Sequence, residues 1–180
     1  MTPDLQIEML RAPPGEADAA ALADILHACV LDGASVGFVL PFAVTAARDY
    51  WEASVFADLT PDSGRRLFLA RAGGETVGTV QLILADMPNQ THRADVSKML
   101  VHPKARRRGI AARLLAALEA QALAEGRTML VLDTLTGDVA EGMYAKLGYE
   151  TAGRIPDYAR DTRVDELRAT TVMYRRLGGG

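Results

Sequence analysis

Three consecutive arginines, Arg106, Arg107 and Arg108, stand directly ahead of Gly109 and of the apolar-patterned run that begins at Ile110. A strand that turns into a helix leaves the first helical amides without intrahelical acceptors, and the helix dipole adds partial positive charge at that end. Glycine lets a bulky anion approach the backbone, and arginine supplies bidentate donors to phosphate oxygens. The chemistry implied is capture of a phosphate-bearing molecule, a pyrophosphate above all; a solvated basic helix start is the bland reading of the same residues. No Gly-Lys-Ser/Thr follows, which excludes the nucleotide P-loop, and the glycine spacing of the dinucleotide fingerprint is absent.

Other residues could handle protons. Asp95 in "HRADVSKMLV" and Asp133 in "TMLVLDT" sit in strand-like segments. An amine of ordinary pKa near ~10.4 is almost wholly protonated at pH 7, so a carboxylate at hand would help to release it. Period-two alternation places Asp95, Ser97 and Met99 on one face. The same carboxylates could instead be structural partners of His92, Arg93 or Lys98. Tyr144 lies in "DVAEGMYAKLG", where Val139, Met143 and Leu147 form the apolar stripe of a helix and Tyr144 its edge. Ser35 and Phe38 in "GASVGF", Trp51 in the helix that follows, and Tyr158 in "IPDYARD" could wall a pocket for an acceptor, or serve as loop packing and core. His27 and His102 have no neighbours at ligand spacing, so no metal is expected. Cys29 shares a helix face with Leu22, Ile25, Leu26 and Val30 and is expected to be a buried structural thiol.

The elements that must position these residues follow from length and pattern. At 180 residues, 49% apolar, the chain is long enough for one domain with a real core, expected over residues 1–177 with a tail at 178–180. A net charge of −3 argues against a dedicated nucleic-acid binder. No run approaches the ~20 apolar residues of a membrane span and "MTPDLQIEML" has no leader pattern, so a cytoplasmic protein is the default. Strands are expected at "LQIEMLRA", "RRLFLARA", "TVGTVQLILA", "HRADVSKMLV", "TMLVLDT", "YETAGRI" and "ATTVMYRRL". Helices are expected from "GEADAAALADILHACVLDG", "TAARDYWEASVFADL", "GIAARLLAALEAQALAEG" and "DVAEGMYAKLG". In the third, Ile110, Leu114, Leu115, Leu118 and Ala122 share a face and Gly126 caps the end. The class is α+β around a mixed sheet.

Arg106-Arg107-Arg108-Gly109-Ile110-Ala111 resembles the Q/R-x-x-G-x-G/A motif of the GNAT superfamily of N-acetyltransferases, and "MYAKLGY" from Met143 to Tyr149 resembles that family's F/Y-Y-x-x-L-G-F/Y box. "GASVGF", "RADVSKMLV", "VLDTLTGDVAEGMY" and "IPDYARD" are similar to the tabtoxin-resistance branch. The resemblance covers nearly the whole chain. It implies a GNAT-like, mostly antiparallel mixed sheet with helices on both faces and a splay between "KMLV" and "VLDT", where the pantetheine arm of acetyl-CoA enters. It implies that main-chain groups of Met99, Leu100 and Val101 meet that arm. The amides of Arg106, Arg107, Arg108, Gly109, Ile110 and Ala111 would hold the pyrophosphate, Tyr144 would protonate the departing thiolate, and Asp133 and Asp95 would stand at positions often acidic in the family.

The chain departs from the pattern at Gly137, where an asparagine contacting the cofactor is common. The function implied is acetylation of a primary amine of a small molecule, an antibiotic or toxin among the options; a non-catalytic acetyl-CoA sensor or protein-interaction module is the alternative. The expected partners are that amine and, as an open option, a second copy of the chain in a homodimer, with no nucleic acid and no membrane.

Overall fold

A computed structural model describes residues 5 to 178; of the expected tail, 179 and 180 lie outside the described residues. The elements run β1 (Leu5–Leu10), α1 (Glu16–Leu31), α2 (Val44–Tyr50), β2 (Arg65–Ala72), β3 (Glu75–Leu84), β4 (Arg93–Val101), α3 (Ile110–Ala124), β5 (Met129–Leu135), α4 (Val139–Lys146), β6 (Glu150–Arg160) and β7 (Leu167–Arg176). One seven-stranded sheet has the order β1-β2-β3-β4-β5-β7-β6. Among the described residues only β4 and β5 pair in parallel; every other neighbouring pair is antiparallel. Among the described residues no helix is long and apolar enough to cross a membrane.

Two cores cover the two faces of the sheet. On one, Ile110, Leu114, Leu115, Leu118 and Ala122 of α3 bury the expected stripe against Val80, Leu82, Ala94 and Leu130. On the other, Leu22, Ile25, Leu26, Cys29 and Val30 of α1 pack with Trp51, Leu67, Leu69 and Leu100. Full burial of one such side chain is worth about 1.5–3 kcal/mol, so each face holds its helices firmly. At Gly78 a Cβ would come within 3.1 Å of the Leu100 carbonyl and 3.2 Å of Ile110 Cγ2, so the missing side chain lets the start of α3 lie directly on the sheet.

Three elements differ from their sequence patterns. The helix expected over "TAARDYWEASVFADL" keeps α geometry only to Tyr50, then widens to a π turn over Trp51–Val55 and tightens to a 3-10 turn over Phe56–Asp58. The strand expected at "YETAGRI" continues to Arg160 through Pro156, which an edge strand tolerates because no ladder donor is needed there. Its register slips between Ile155 and Ala159, and Asp157 takes a left-handed φ of 50° within that slip. Finally, the stripe of α4 is shifted: Met143 and Leu147 pack against the core as expected, but Val139 is 86% exposed and Tyr144 is the residue that this helix buries most fully. With only 8 residues the helix takes its rotation from what it docks on, here Tyr149, whose ring meets Tyr144 edge-on at 5.5 Å.

Candidate active site

The paired stretch of β4 and β5 is short: Arg93, Ala94 and Asp95 partner Met129, Leu130 and Val131, and beyond Asp95 and Val131 the ladder stops. A bulge in β4 coincides with this parting. Ser97 partners Gln81 and Leu100 partners Thr79, so Lys98 and Met99 together oppose Val80, and Lys98 has a left-handed φ of 49°. The extra residue reverses the phase of the strand. Ala94 and Val96 face α3 before the bulge, whereas Met99 and Val101 do so after it. Met99 therefore does not share the face of Asp95 and Ser97, as unbroken alternation would have it.

Below the parted strands, β4 runs through a 3-10 turn (Pro103–Ala105) into the start of α3. Left-handed backbone at Arg107 (φ 61°) and Gly109 (φ 73°), alternating with Arg108, curls successive amides toward one side, a geometry that makes a concavity for anions. The amides from Arg107 to Ala112 donate no hydrogen bond among the described residues. Nothing lies within 4 Å of where a Gly109 Cβ would stand, so this side of the turn is open. These features fit a diphosphate.

The three arginine side chains are not equivalent. Arg107 and Arg108 are exposed. Arg106 turns back to α1, where it pairs with Asp32, lies 3.8 Å from Cys29 Sγ and donates from Nε to the Val101 carbonyl at 3.3 Å. Its charge is therefore spent within the chain, and the Val101 carbonyl also receives the Cys29 thiol at 3.5 Å. Of the three main-chain positions expected to meet pantetheine, Leu100 is paired with Thr79 in the β3 ladder, in phase with the bond that His102 donates to the Val77 carbonyl, so its carbonyl faces β3 and not the gap. Cys29 is buried, as expected, and burial pushes its thiol up, away from the reactive thiolate form.

A cleft of about 1220 Å³ joins this turn to the gap between the strands and to the far side of the sheet. Asp133 and Tyr144 line it. Asp133 is exposed at the end of β5, and its Oδ2 accepts from Thr170 Oγ1 at 3.0 Å. Tyr144 is 7% exposed, and its hydroxyl has no hydrogen-bond partner among the described residues. Burial, and secondly the negative charge of Asp133, push its phenol far above the usual tyrosine range, so it stays neutral throughout physiological pH.

Asp95 is held elsewhere. Both its oxygens accept from Arg93 Nη1, at 2.8 and 3.0 Å, and Arg93 is anchored in turn on Gln90. It borders a smaller hollow that also includes Asp133 and Tyr158, not the main cleft. The ion-pair reading of Asp95 thus has the better geometric support, and the expected pair of catalytic carboxylates is reduced to one in the cleft.

The expected acceptor wall is sorted in the same way. Ser35 and Tyr158 line the cleft. Phe38 stands behind it, 5.3 Å from Tyr50 in an edge-on contact. Trp51 is a correction: it is fully buried, and its Nε1 donates to the Leu22 carbonyl at 2.9 Å, so it belongs to the core beneath the wall. The loop bearing Ser35 is pinned across the cleft by Thr162, whose hydroxyl donates to the Ala34 carbonyl at 3.0 Å and whose carbonyl accepts from the Leu40 amide at 2.9 Å.

Lys98 is the residue that sequence reasoning passed over, naming it only as a partner for the carboxylates. Its Nζ lies 5.4 Å from the Tyr50 ring centre and 5.9 Å from that of Phe38, on the acceptor side. The signal was present: unbroken alternation would bury this lysine between Val96 and Leu100, a conflict that only a bulge removes. No group of three or more His, Cys, Asp or Glu side chains suited to a metal occurs among the described residues.

Known proteins share this fold. The acetyltransferase (GNAT) family model matches residues 24–149. An uncharacterized N-acetyltransferase encoded in the hisH-hisA intergenic region of Azospirillum brasilense is 34% identical over 114 residues, which are 62% of this chain and 65% of that protein. The chain therefore matches slightly less than two thirds of the length of that curated relative. An N-acetyltransferase from Staphylococcus aureus Mu50 superposes with a TM-score of 0.76 at 18% identity, over 96% of this chain and 98% of its own. Salmonella typhimurium yncA, solved with acetyl-CoA, superposes with a TM-score of 0.73 at 18% identity, over 98% and 95%. With the family model spanning well over half its length, this chain belongs to the acetyltransferase (GNAT) family.

Proposed function

We propose that the protein transfers the acetyl group of acetyl-CoA to a primary amine of a small molecule, in the manner of the tabtoxin-resistance branch. The observation that carries this reading is the cleft that runs unbroken from the amide turn at Arg107–Ala111, through the gap between β4 and β5, to Asp133 and Tyr144. Acetyl-CoA supplies an activated thioester and a leaving sulfur. The backbone turn holds its diphosphate, and the edge of β4 around Met99 aligns its arm. Holding amine and thioester in attack geometry removes up to ~7–11 kcal/mol of barrier, more than acid or base assistance supplies. Asp133 attracts the acceptor ammonium and takes its proton, directly or through one water. Tyr144, kept neutral by burial, donates a hydrogen bond to the sulfur as negative charge develops there. A loop pinned over the cleft favours a small acceptor, of the kind an antibiotic or toxin would present, over an extended chain.

Free-thiol release in the presence of an amine panel, paired with calorimetric titration of acetyl-CoA, tests this. Amine-dependent release supports the reading, binding without release for any amine leaves the sensor alternative, and absence of binding removes both. Tyr144→Phe is expected to lower kcat by about 10²-fold with the acetyl-CoA Kd unchanged; equal loss of both would make Tyr144 structural. Gly137 has a φ of 81° and donates its amide to Glu141, so the turn needs a left-handed residue, which asparagine tolerates best after glycine. Gly137→Asn is therefore expected to keep the fold and to tighten acetyl-CoA binding by about 2- to 10-fold, the worth of one added hydrogen bond. Unchanged or weaker binding by calorimetry would refute that.

A further inference from the structure

Lys98 brings two unfavourable features together at the edge of the cleft. Its backbone is left-handed, a conformation side chains other than glycine and asparagine rarely adopt, and its half-buried ammonium forms no hydrogen bond or ion pair among the described residues. Such combinations cluster where a residue serves a ligand rather than the fold. Burial pushes the ammonium below its usual range; the Asp133 carboxylate opposes this lowering and the Arg65 charge adds to it. The aromatic faces of Phe38 and Tyr50 steady the charge without neutralising it.

The other cations around the acceptor side are engaged. Arg65 pairs with Asp58 and Gln81, Arg106 with Asp32, and Arg168 lies 3.6 Å from Asp161. Asp133 likewise lacks a cationic partner at hydrogen-bond distance, since its one hydrogen bond comes from Thr170. Lys98 and Asp133 thus feel each other's charge without making an ion pair among the described residues, and both line a single cleft.

We propose that Lys98 determines specificity by receiving an anionic group of the acceptor, so that the favoured substrate is an amino acid-like zwitterion whose amine meets Asp133 and whose carboxylate meets Lys98. This deepens the acetyl-transfer reading and rests on it for the role of Asp133. A neutral amine leaves the lysine unpaired, and a substrate without an amine leaves the aspartate so.

The test is binding, read apart from turnover. Amino acids with one to four carbons between amine and carboxylate, each set against its carboxamide, are titrated by calorimetry into wild type, Lys98→Met and Lys98→Arg, with and without CoA. Methionine keeps the apolar stem between the two rings, and thermal melting checks that it folds. At least one amino acid is expected to bind wild type about 10-fold or more tightly than its carboxamide, the return expected when a charge-assisted bond becomes neutral. The ratio should fall to within about 2-fold in Lys98→Met and recover in part in Lys98→Arg. Wild type that treats carboxylate and carboxamide alike, or a preference that survives in Lys98→Met, overturns the assignment. Thiol release is scored separately: selective binding without acetylation refutes the catalytic reading and not this site, whereas acetylation of both members of each pair at equal rates does the reverse.

Discussion

Replacing Asp133 by asparagine is expected to lower kcat by about 10²–10⁴-fold while leaving the Kd for acetyl-CoA within about 2-fold of wild type. The asparagine carbonyl still accepts from Thr170 Oγ1, so the end of β5 keeps its tie to β7 and the loss is one of charge and basicity. The amide turn that fits the diphosphate lies at the other end of the cleft, which is why donor affinity is spared. A second readout guards against a trivial explanation. The Asp133 charge contributes to holding the Tyr144 phenol high, so in Asp133→Asn the phenolate should form at lower pH than in wild type, visible by ultraviolet difference titration. An unchanged kcat would move the base elsewhere.

Trp51→Ala is expected to cost about 3–5 kcal/mol of stability, the usual range for removing a buried aromatic, and to lower Tm by roughly 6–20 °C for a domain of this size. The indole is fully buried, packs beside Tyr50 and Phe56, and adds a second hydrogen bond to the Leu22 carbonyl of α1, so its loss opens a cavity and removes that tie between the two helices. Material that remains folded below its melting point should keep the wild-type KM for the amine. A raised KM with an unchanged Tm would return Trp51 to the pocket wall.

That contrast shows what could be read from residue order and what could not. The helix face of α3, the hairpin of β2 and β3 and the glycine-led turn were legible because each depends on neighbours within one or two turns of chain. The two motif segments likewise landed on one cleft, since each sits at the end of an element whose type was plain. Trp51 and Phe38 were indistinguishable in pattern, both being aromatics near a small-residue loop; the π turn that swings Trp51 inward follows from packing against α1. The burial of Tyr144 was likewise settled in part by Met173, distant in the chain, which shares its core cluster. Asp95 and Asp133 were alike on paper. Only the neighbouring Arg93, folded back on its own strand, separates an engaged carboxylate from a free one.

The bulge at Lys98 has a consequence for how such a protein changes over generations. Because the strand switches phase there, substitutions at residues 97 and 98 alter the lining of the cleft, while 99 and 101 keep their packing against the layer of α3. On this reading, preference for the amine can drift without loosening the hold on the thioester. Deleting Lys98 would restore an unbroken strand with Met99 and Val101 still on the layer of α3, and would remove only the residue that the kink presents.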